Sequence, residues 1–526
     1  MRRPLALLLV VAAVMSVACN SGKKAATPAT PRRGGVLRLG VATPASLDPA
    51  QARSIEETLL ADQLFDGVTT YDPKTLLAVP ALASGWTASA DQKQFDFNIR
   101  ADATFESGRH VVAADVKYTL ERIAKKGSGS PAADLLELIS GYKAVADGST
   151  TILAGVTTPS PLVLRIQLDQ PLSALPSLLA SPLFGVVAGE AASAPHPKIP
   201  FAQAPIDGSG PFVFKGKVGE VLHLARRPKG SAYLAGIDVH QYKDVPAAYA
   251  AFRRGAVDWS RVPPDDVATA GPRYGRRLFT PYVAELFYAF NVRSPKLSDA
   301  RFRQAIVQAV DTSAIIRGVY QNTVLPIKNV VVKGVPGAQQ DACRDHCAFN
   351  PDASRRLIRE VFHGPAPQIF LDFDEDEVQR AVASAISNDL KAVGITATLR
   401  PHSPNDYATF AASGNQEVFR LGWIAPYPSP DAFLAPLFAN GSRSNLTGFS
   451  QPGVDKELAL ARSSANPLLQ IQAYQRVENA VLALAPVLPI AQFQIQAVDR
   501  PTVHGLVPTP MASFDASKVW VDPIKK

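Results

Sequence analysis

Helix-like and strand-like segments alternate along almost the whole chain, and this alternation limits the possible folds more than any other feature. Residues 95–100 alternate strictly between apolar and polar side chains, which is typical of a strand with one buried face. Residues 113–124 then place Val116, Leu120 and Ile123 on one helical face. Because such segments are interleaved rather than grouped by type, the sequence predicts an α/β protein.

The chain is long enough for several hydrophobic cores. It has 526 residues, 47% hydrophobic and 19% charged, and at roughly 150 residues per domain this predicts about three domains. The formal net charge is +8, but the first 33 residues hold six cationic side chains and no acid. The remainder has 48 cationic and 46 acidic side chains, a net charge of +2. A nearly neutral body gives no electrostatic reason to bind nucleic acid, and we predict no nucleic-acid partner.

The N-terminus has the pattern of a secretory signal. Two arginines precede an apolar stretch over residues 5–14, which is too short for a permanent membrane span, and small residues then lead to Cys19. The segment resembles the lipobox of bacterial lipoproteins, which implies a signal peptide over 1–18 and a lipidated Cys19. A cleaved signal peptide without a lipid is the alternative. Residues 19–33 lack large apolar side chains after the cysteine and are predicted to be a flexible tether.

Only two other cysteines are present, Cys343 and Cys347. In an oxidising compartment this pair predicts a small disulfide loop. His346 between them raises a metal site as the alternative, but no further ligand pair at zinc spacing accompanies it. We therefore predict no metal site and no cofactor.

The motifs that identify common enzymes are missing. The chain has no Gly-x-Ser-x-Gly elbow and no His-Glu-x-x-His. The segment 210–217 resembles a phosphate-binding loop, but it has one residue too many between its glycines, and Val218 replaces the Ser or Thr that holds magnesium. The sequence thus predicts a protein that is not an enzyme.

Several segments, taken in order, resemble one bacterial family. They are 64–68, 79–86, 95–100, 104–108, 113–122, 208–212, 252–258, 299–311, 422–423 and 445–455. They are similar to the solute-binding lipoproteins that serve peptide and nickel ABC importers. The resemblance covers residues 35–508 and implies the type II periplasmic-binding-protein fold, in which two lobes close about a hinge. An inserted third domain accompanies the two lobes in this family.

The family's pattern divides the chain further. It implies a discontinuous first lobe over 34–66, 205–290 and 500–526, an inserted domain over 67–204 and a second lobe over 291–499. The implied protein is a monomer, held by its lipid on the extracytoplasmic face of the cell membrane. It would capture a peptide or peptide-like solute and deliver it to an ABC permease with its ATPase subunits. A transport-inactive envelope regulator or scaffold lipoprotein with the same fold is the alternative function.

The resemblance also implies a ligand pocket. In the oligopeptide binders an Arg-x-Gly-Trp strand offers backbone groups to an extended peptide, and here that strand is 420–424. Arg420 would receive a terminal carboxylate and Trp423 would form a wall, although a place in the core is the alternative for Trp423. The residues predicted for ligand binding are Arg420, Gly422, Trp423, Ile424, Pro426, Tyr427, Phe287, Tyr288 and Asn445.

One position departs from the family. Peptide-binding relatives have an aspartate three residues after the tryptophan, where it pairs with the ligand's α-amine, but this chain has Pro426. A proline carries no charge and has no N–H to donate. Two alternatives follow: Asp431 replaces the missing carboxylate, or the ligand lacks a free amine.

Overall fold

The structure is a computed structural model that describes residues 30–189, 207–228 and 230–523. The predicted signal peptide over 1–18 and Cys19 lie outside these residues. So do most of the predicted tether and the predicted domain boundary at 204/205. Within the described part, no helix combines the length and the apolar content needed to cross a bilayer.

Helices and strands alternate as the sequence predicts. The described helices are α1 (Ile55–Leu64), α2 (Ala113–Ala124), α3 (Tyr142–Ala146), α4 (Leu175–Leu179), α5 (Val245–Arg253), α6 (Val267–Tyr274), α7 (Ala300–Ala309), α8 (Thr312–Gly318), α9 (Pro351–Val361), α10 (Glu377–Ala392), α11 (Pro404–Ala411), α12 (Asp431–Phe438), α13 (Pro452–Ser463) and α14 (Pro467–Ala483). The described strands are β1 (Val36–Ala42), β2 (Thr69–Tyr71), β3 (Ala78–Pro80), β4 (Ala83–Ala88), β5 (Gln94–Ile99), β6 (Val156–Ser160), β7 (Val163–Gln167), β8 (Phe212–Val218), β9 (Val221–Arg226), β10 (Gly236–Tyr242), β11 (Trp259–Arg261), β12 (Phe279–Phe290), β13 (Leu325–Pro326), β14 (Ile369–Asp374), β15 (Ala397–His402), β16 (Val418–Ile424), β17 (Val487–Asp499), β18 (Val503–His504) and β19 (Trp520–Val521).

An 11-stranded mixed sheet runs through the molecule in the order β15-β14-β16-β12-β17-β11-β1-β10-β9-β8, and β13 also pairs with β17. We call the elements built on β8, β9, β10, β1 and β11 the first lobe, and those built on β14, β15 and β16 the second lobe. The long strands β12 and β17 pair with each other and join the lobes. Their register shifts between Pro281 and Glu285, so the regular pairing is interrupted at the junction.

A separate four-stranded sheet of order β4-β5-β7-β6 packs against α2. This unit, residues 83–184, lies within the range 67–204 predicted for the inserted domain, and we use that name for it below. The predicted helical stripe of Val116, Leu120 and Ile123 is fully buried in its core. Arg122 on α2 donates to both carboxylate oxygens of Asp48 in the first lobe, at 2.7 and 2.9 Å. This bidentate ion pair ties the inserted domain to the first lobe.

Local sequence explains where the important helices begin. At the start of α1 the Ser54 hydroxyl accepts from the Glu57 N–H at 3.2 Å, while the Glu57 carboxylate accepts from the Ser54 N–H at 3.0 Å. This reciprocal capping box satisfies N–H groups that a helix N-terminus otherwise leaves without partners. Asp376 caps α10 in a simpler way, by accepting from the Gln379 N–H at 2.9 Å.

The structure joins Cys343 and Cys347 by a disulfide, with 5.5 Å between their Cα atoms. The loop between them is a single 3-10 turn. It packs against α7, where the side-chain amide of Gln304 donates to the carbonyl of His346. The disulfide therefore closes this surface turn of the second lobe, and the Gln304 hydrogen bond holds the turn against α7.

Candidate functional site

A cleft of about 1160 Å³ opens between the two lobes and the inserted domain. The first lobe contributes residues at the N-terminal end of α1, and the inserted domain contributes residues drawn from 131–138 and 170–183. The joining strand β12 provides Tyr282 and Val283, and the second lobe provides residues drawn from 423–444. A cleft walled by both lobes and the strands between them is where a hinged binding protein encloses its ligand.

Much of the wall is apolar. The inserted domain supplies Leu135, Leu138, Leu172, Leu178 and Leu183, and the second lobe supplies alanines and prolines. Such a surface suits a ligand with apolar side chains and binds it by excluding water.

Trp423 and Ile424 end strand β16 at the cleft. The indole N–H of Trp423 donates to the carbonyl of Ala432 at 2.7 Å, and this bond fixes the ring against the start of α12. Ile424 is 61% exposed, although it lies at the end of a strand in the central sheet. Pro426 and Tyr427 follow and also line the cleft.

One edge of β16 is open over most of its length. Its other edge pairs with β12 over all seven residues, whereas β14 pairs with the open side only at Val418 and Phe419. The Ala425 N–H donates to the Val283 carbonyl at 2.9 Å. In an antiparallel ladder, hydrogen-bonded pairs alternate with pairs whose N–H and C=O groups point outward. Gly422 and Ile424 therefore direct their backbone groups away from β12.

The hydroxyl of Tyr407 supports this assignment, because it donates at 2.6 Å to the carbonyl of Arg420 on the same outward side. Beyond Arg420, no strand within the described residues pairs with this edge. Gly422 and Ile424 thus offer two backbone donors and two backbone acceptors beside the cleft.

Asp431 lines the same cleft but is only 1% exposed. Its carboxylate accepts from Arg462 Nε at 2.7 Å and Nη2 at 3.1 Å, and from the hydroxyls of Tyr427 and Tyr474, both at 2.9 Å. Burial opposes ionisation, but the charge and hydrogen bonds of Arg462 outweigh it and hold the pKa of Asp431 below its usual range. The four bonds fill the acceptor positions of the carboxylate.

A second buried ion pair lies on the opposite wall. Glu56 Oε1 on α1 is 2.9 Å from Nη1 of Arg261, the last residue of β11, and both side chains line the cleft. Tyr282 lies close to this pair; burial raises the pKa of its hydroxyl, and the Glu56 charge adds to that effect while Arg261 opposes it. Because the two charges of the pair compensate each other, the pair itself adds little net charge to the cleft.

Of the residues predicted for ligand binding, Trp423, Ile424, Pro426 and Tyr427 line the cleft and Gly422 lies on the open edge beside it. Phe287 and Tyr288 lie instead in hydrophobic cores on the two faces of β12, where they are 3% and 0% exposed. They do not line the cleft because β12 is central in the sheet and buried on both faces.

Arg420 and Asn445 do not line the cleft themselves, but each lies close in the chain to residues that do. Arg420 lies on β16 three positions before Trp423, with its Nη1 at 3.5 Å from Asp374 Oδ2. The side-chain amide of Asn445 donates to the carbonyls of Ala439 and Phe449, at 3.1 and 2.7 Å. Asn445 therefore holds the turn whose preceding residues, 439–444, form part of the wall.

Sequence reasoning missed several residues of the cleft, among them Glu56, Arg261 and Arg462. Glu56 and Arg261 are 205 positions apart, so no local pattern could connect them. No group of three or more His, Cys, Asp or Glu side chains in the described residues is placed to hold a metal ion.

Comparison with known proteins agrees with this architecture. Residues 78–445 match the model of bacterial extracellular solute-binding proteins, family 5 middle. The periplasmic murein peptide-binding protein MppA of Escherichia coli K12 is 25% identical over 479 residues, which cover 88% of each chain. The probable di/tripeptide-binding protein 5 of Pseudomonas aeruginosa is 25% identical over 518 residues, covering 91% of this chain and 94% of that protein.

Solved structures agree as well. The unliganded open form of the MppA murein tripeptide-binding protein superposes with a TM-score of 0.83 at 23% identity, covering 93% of this chain and 97% of that one. The predicted α/β class and type II binding-protein fold are thereby confirmed. The chain belongs to family 5 of the bacterial extracellular solute-binding proteins.

Proposed function

We propose that this protein is a lipid-anchored receptor that captures peptides or peptide-like solutes in its cleft and delivers them, unchanged, to an ABC permease. The observation that carries the proposal is the open edge of β16. Gly422 and Ile424 point backbone donors and acceptors away from β12 at the edge of the sheet, beside a cleft whose wall is partly apolar. An extended peptide recognised through its main chain adds to such an edge as a further strand, with little demand on its side chains.

Side chains near the edge suit this role. Trp423 gives an aromatic wall, and leucines of the inserted domain line the same cleft. The guanidinium of Arg420 makes one long contact with Asp374, which leaves further N–H donors for a ligand carboxylate. The relatives named above as binders of murein peptides and di- or tripeptides support the same class of ligand.

Closure would occur where β12 and β17 cross between the lobes. The register shift between Pro281 and Glu285 interrupts the ladder at that point, and an interrupted ladder bends more easily than a regular one. The division into a first lobe over 34–66, 205–290 and 500–526, an inserted domain over 67–204 and a second lobe over 291–499 is part of this proposal.

The signal peptide and lipid predicted at the N-terminus indicate where the protein acts and which partners it meets. A signal peptide over 1–18 and a lipid on Cys19 would place a monomeric receptor on the extracytoplasmic face of the membrane, next to its permease. The alternative function, a regulator that has lost transport, predicts a cleft filled by the protein's own bulky side chains. The open volume of about 1160 Å³ favours transport instead.

The test is ligand-dependent stabilisation of purified residues 34–526. Pools of peptides of two to five residues should raise the melting temperature, because a ligand at 100 times its Kd adds about 2.7 kcal/mol to the folded state. Absence of a shift with every pool would contradict the proposal.

A pair of variants tests the open edge directly. The Ile424→Pro variant removes an N–H that points away from β12, so pairing within the sheet survives while a donor to the ligand is lost. Its control, Ile424→Ala, loses the side chain and keeps the N–H. We expect the ligand-dependent rise in melting temperature to disappear in Ile424→Pro and to persist in Ile424→Ala. Equal rises in the two variants would show that the edge of β16 does not bind the ligand.

A further inference from the structure

Four carboxylates line the described cleft: Glu56, Asp134, Glu137 and Asp431. An ammonium group buried in the cleft would need one of them, since an ionised amine taken out of water without an opposite charge is strongly disfavoured. A carboxylate can bind a ligand amine only if its present partners leave it unpaired.

Asp431 is already fully used. Two bonds from Arg462 and one each from Tyr427 and Tyr474 fill its acceptor positions. A ligand amine could enter only by displacing Arg462, and a buried guanidinium would then lack its partner. Of the two alternatives raised by the sequence, the geometry thus disfavours Asp431 as a replacement for the missing aspartate.

Glu56 is engaged less completely, through a single ion pair with Arg261. Its side chain is only 8% exposed and its Oε1 is 2.9 Å from Arg261. Because the two charges compensate each other, an approaching ammonium meets a neutral pair rather than a free anion.

Asp134 and Glu137 are exposed residues of the inserted domain. Asp134 accepts from the Tyr142 hydroxyl at 2.7 Å, and the positive charge of Arg443 acts on the same hydroxyl from the second lobe. An ion pair made with a solvent-exposed carboxylate changes affinity by only a few-fold. These two residues therefore do not make a buried amine site.

At the end of the open edge stands Pro426, which lines the cleft and has neither charge nor N–H. We infer that the cleft selects peptide-like solutes whose amino end is blocked or absent, and that Pro426 determines this specificity. The inference rests on the proposed function, because it assumes that the ligand lies along β16. An acylated amine presents an uncharged amide at this end, which an apolar surface accepts at much lower cost than an ammonium.

The test uses two peptide libraries of two to five residues, identical except that one is N-acetylated and the other has free α-amines. Binding of each is measured by isothermal titration with residues 34–526. We expect the wild type to bind the acetylated library at least tenfold more tightly. Pro426→Asp supplies a carboxylate and should shift the ratio toward free amines by one to two orders of magnitude, the range for a charge-assisted hydrogen bond.

Pro426→Asn is the matched control, because it has the same shape as aspartate without the charge; its ratio should stay close to that of the wild type. Tighter or equal binding of free amines by the wild type would overturn the inference while leaving the proposed function intact, whether or not either variant folds. Binding of neither library would overturn the proposed function, and the inference with it.

Discussion

Arg462, near the end of α13, donates through Nε to Oδ1 of Asp431 at 2.7 Å and through Nη2 to Oδ2 at 3.1 Å. This bidentate pair connects two helices behind the ligand wall. The carbonyl of Arg462 also accepts from the Ser173 N–H of the inserted domain at 2.9 Å. The pair therefore lies where the second lobe meets the inserted domain.

The first prediction concerns the stability that this pair contributes. Asp431→Asn should destabilise the protein by about 3 to 5 kcal/mol, because it leaves the Arg462 charge without a counter-ion in a buried place. Urea unfolding followed by circular dichroism measures the loss. The control is Glu457→Gln, which removes an exposed pair with Arg476 and should cost no more than about 1 kcal/mol. Equal losses of unfolding free energy in the two variants would show that burial does not increase the contribution of the Asp431–Arg462 pair.

The sequence could draw attention to Asp431 but could not show that its carboxylate is occupied. Its partners Arg462 and Tyr474 lie 31 and 43 residues further along the chain, on two other helices. Only the packing of α12, α13 and α14 brings the three side chains together. A motif reports which residues are present, whereas the partners that neutralise a charge are set by tertiary structure.

The second prediction concerns acid stability. Glu57 in the capping box accepts from the backbone N–H groups of Ala45, Ser46, Arg53 and Ser54 at 2.7 to 3.2 Å. Burial opposes ionisation, but these donors outweigh it and lower the pKa of the Glu57 carboxyl. The lower folded pKa means that its contribution is present above the unfolded pKa of about 4.3 and is lost as the pH falls through the folded value.

Glu57→Gln should therefore reduce the free energy of unfolding by about 2 kcal/mol at pH 7, where the charged acceptor is lost. The difference from the wild type should shrink progressively as the pH falls below the unfolded pKa of about 4.3, because the unfolded carboxyl binds a proton before the folded one does and the wild type loses this contribution. Urea unfolding at pH 7 and pH 3.5 gives both values. A difference that does not change with pH would mean that shape, rather than charge, stabilises the start of α1.

The third prediction concerns Glu285, whose contribution to stability has the opposite pH dependence. Glu285 on β12 is 1% exposed, and no partner within the described residues reaches its Oε1. Burial raises the pKa of its carboxyl well above the usual range, and the charge of Glu478 raises it further. A raised folded pKa means that stability is present below the unfolded pKa of about 4.3 and is lost as the pH rises toward the folded value.

Glu285→Gln keeps the shape of the neutral acid and cannot ionise. We expect its melting temperature to match the wild type at pH 4 and to exceed it at pH 8. A variant that is less stable than the wild type at pH 8 would show that the ionised carboxylate is used in the folded state.

How much of the site the sequence predicts depends on whether a strand lies at an open edge of the sheet or is buried on both faces. A motif predicts a strand over 420–424, and Gly422 and Ile424 do lie on a strand, β16, whose edge is open beside them. Phe287 and Tyr288 belong to the continuous run 283–290 on β12, almost all of it apolar, in which alternation cannot tell one face from the other. A strand buried on both faces gives no sequence signal for the side that approaches a ligand.

The last prediction follows from the position of Trp423. Of the four tryptophans, it is the one that lines the described cleft; Trp86 lies on the four-stranded sheet of the inserted domain. Addition of a binding peptide pool should change the intrinsic tryptophan fluorescence of the wild type, because the ligand replaces water beside the indole. Trp423→Phe should abolish this change while Trp86→Phe retains it. Affinity in Trp423→Phe should fall several-fold, since the smaller ring loses its hydrogen bond to Ala432 and part of its contact area. If Trp86→Phe abolished the signal instead, the ligand would lie against the inserted domain rather than along β16.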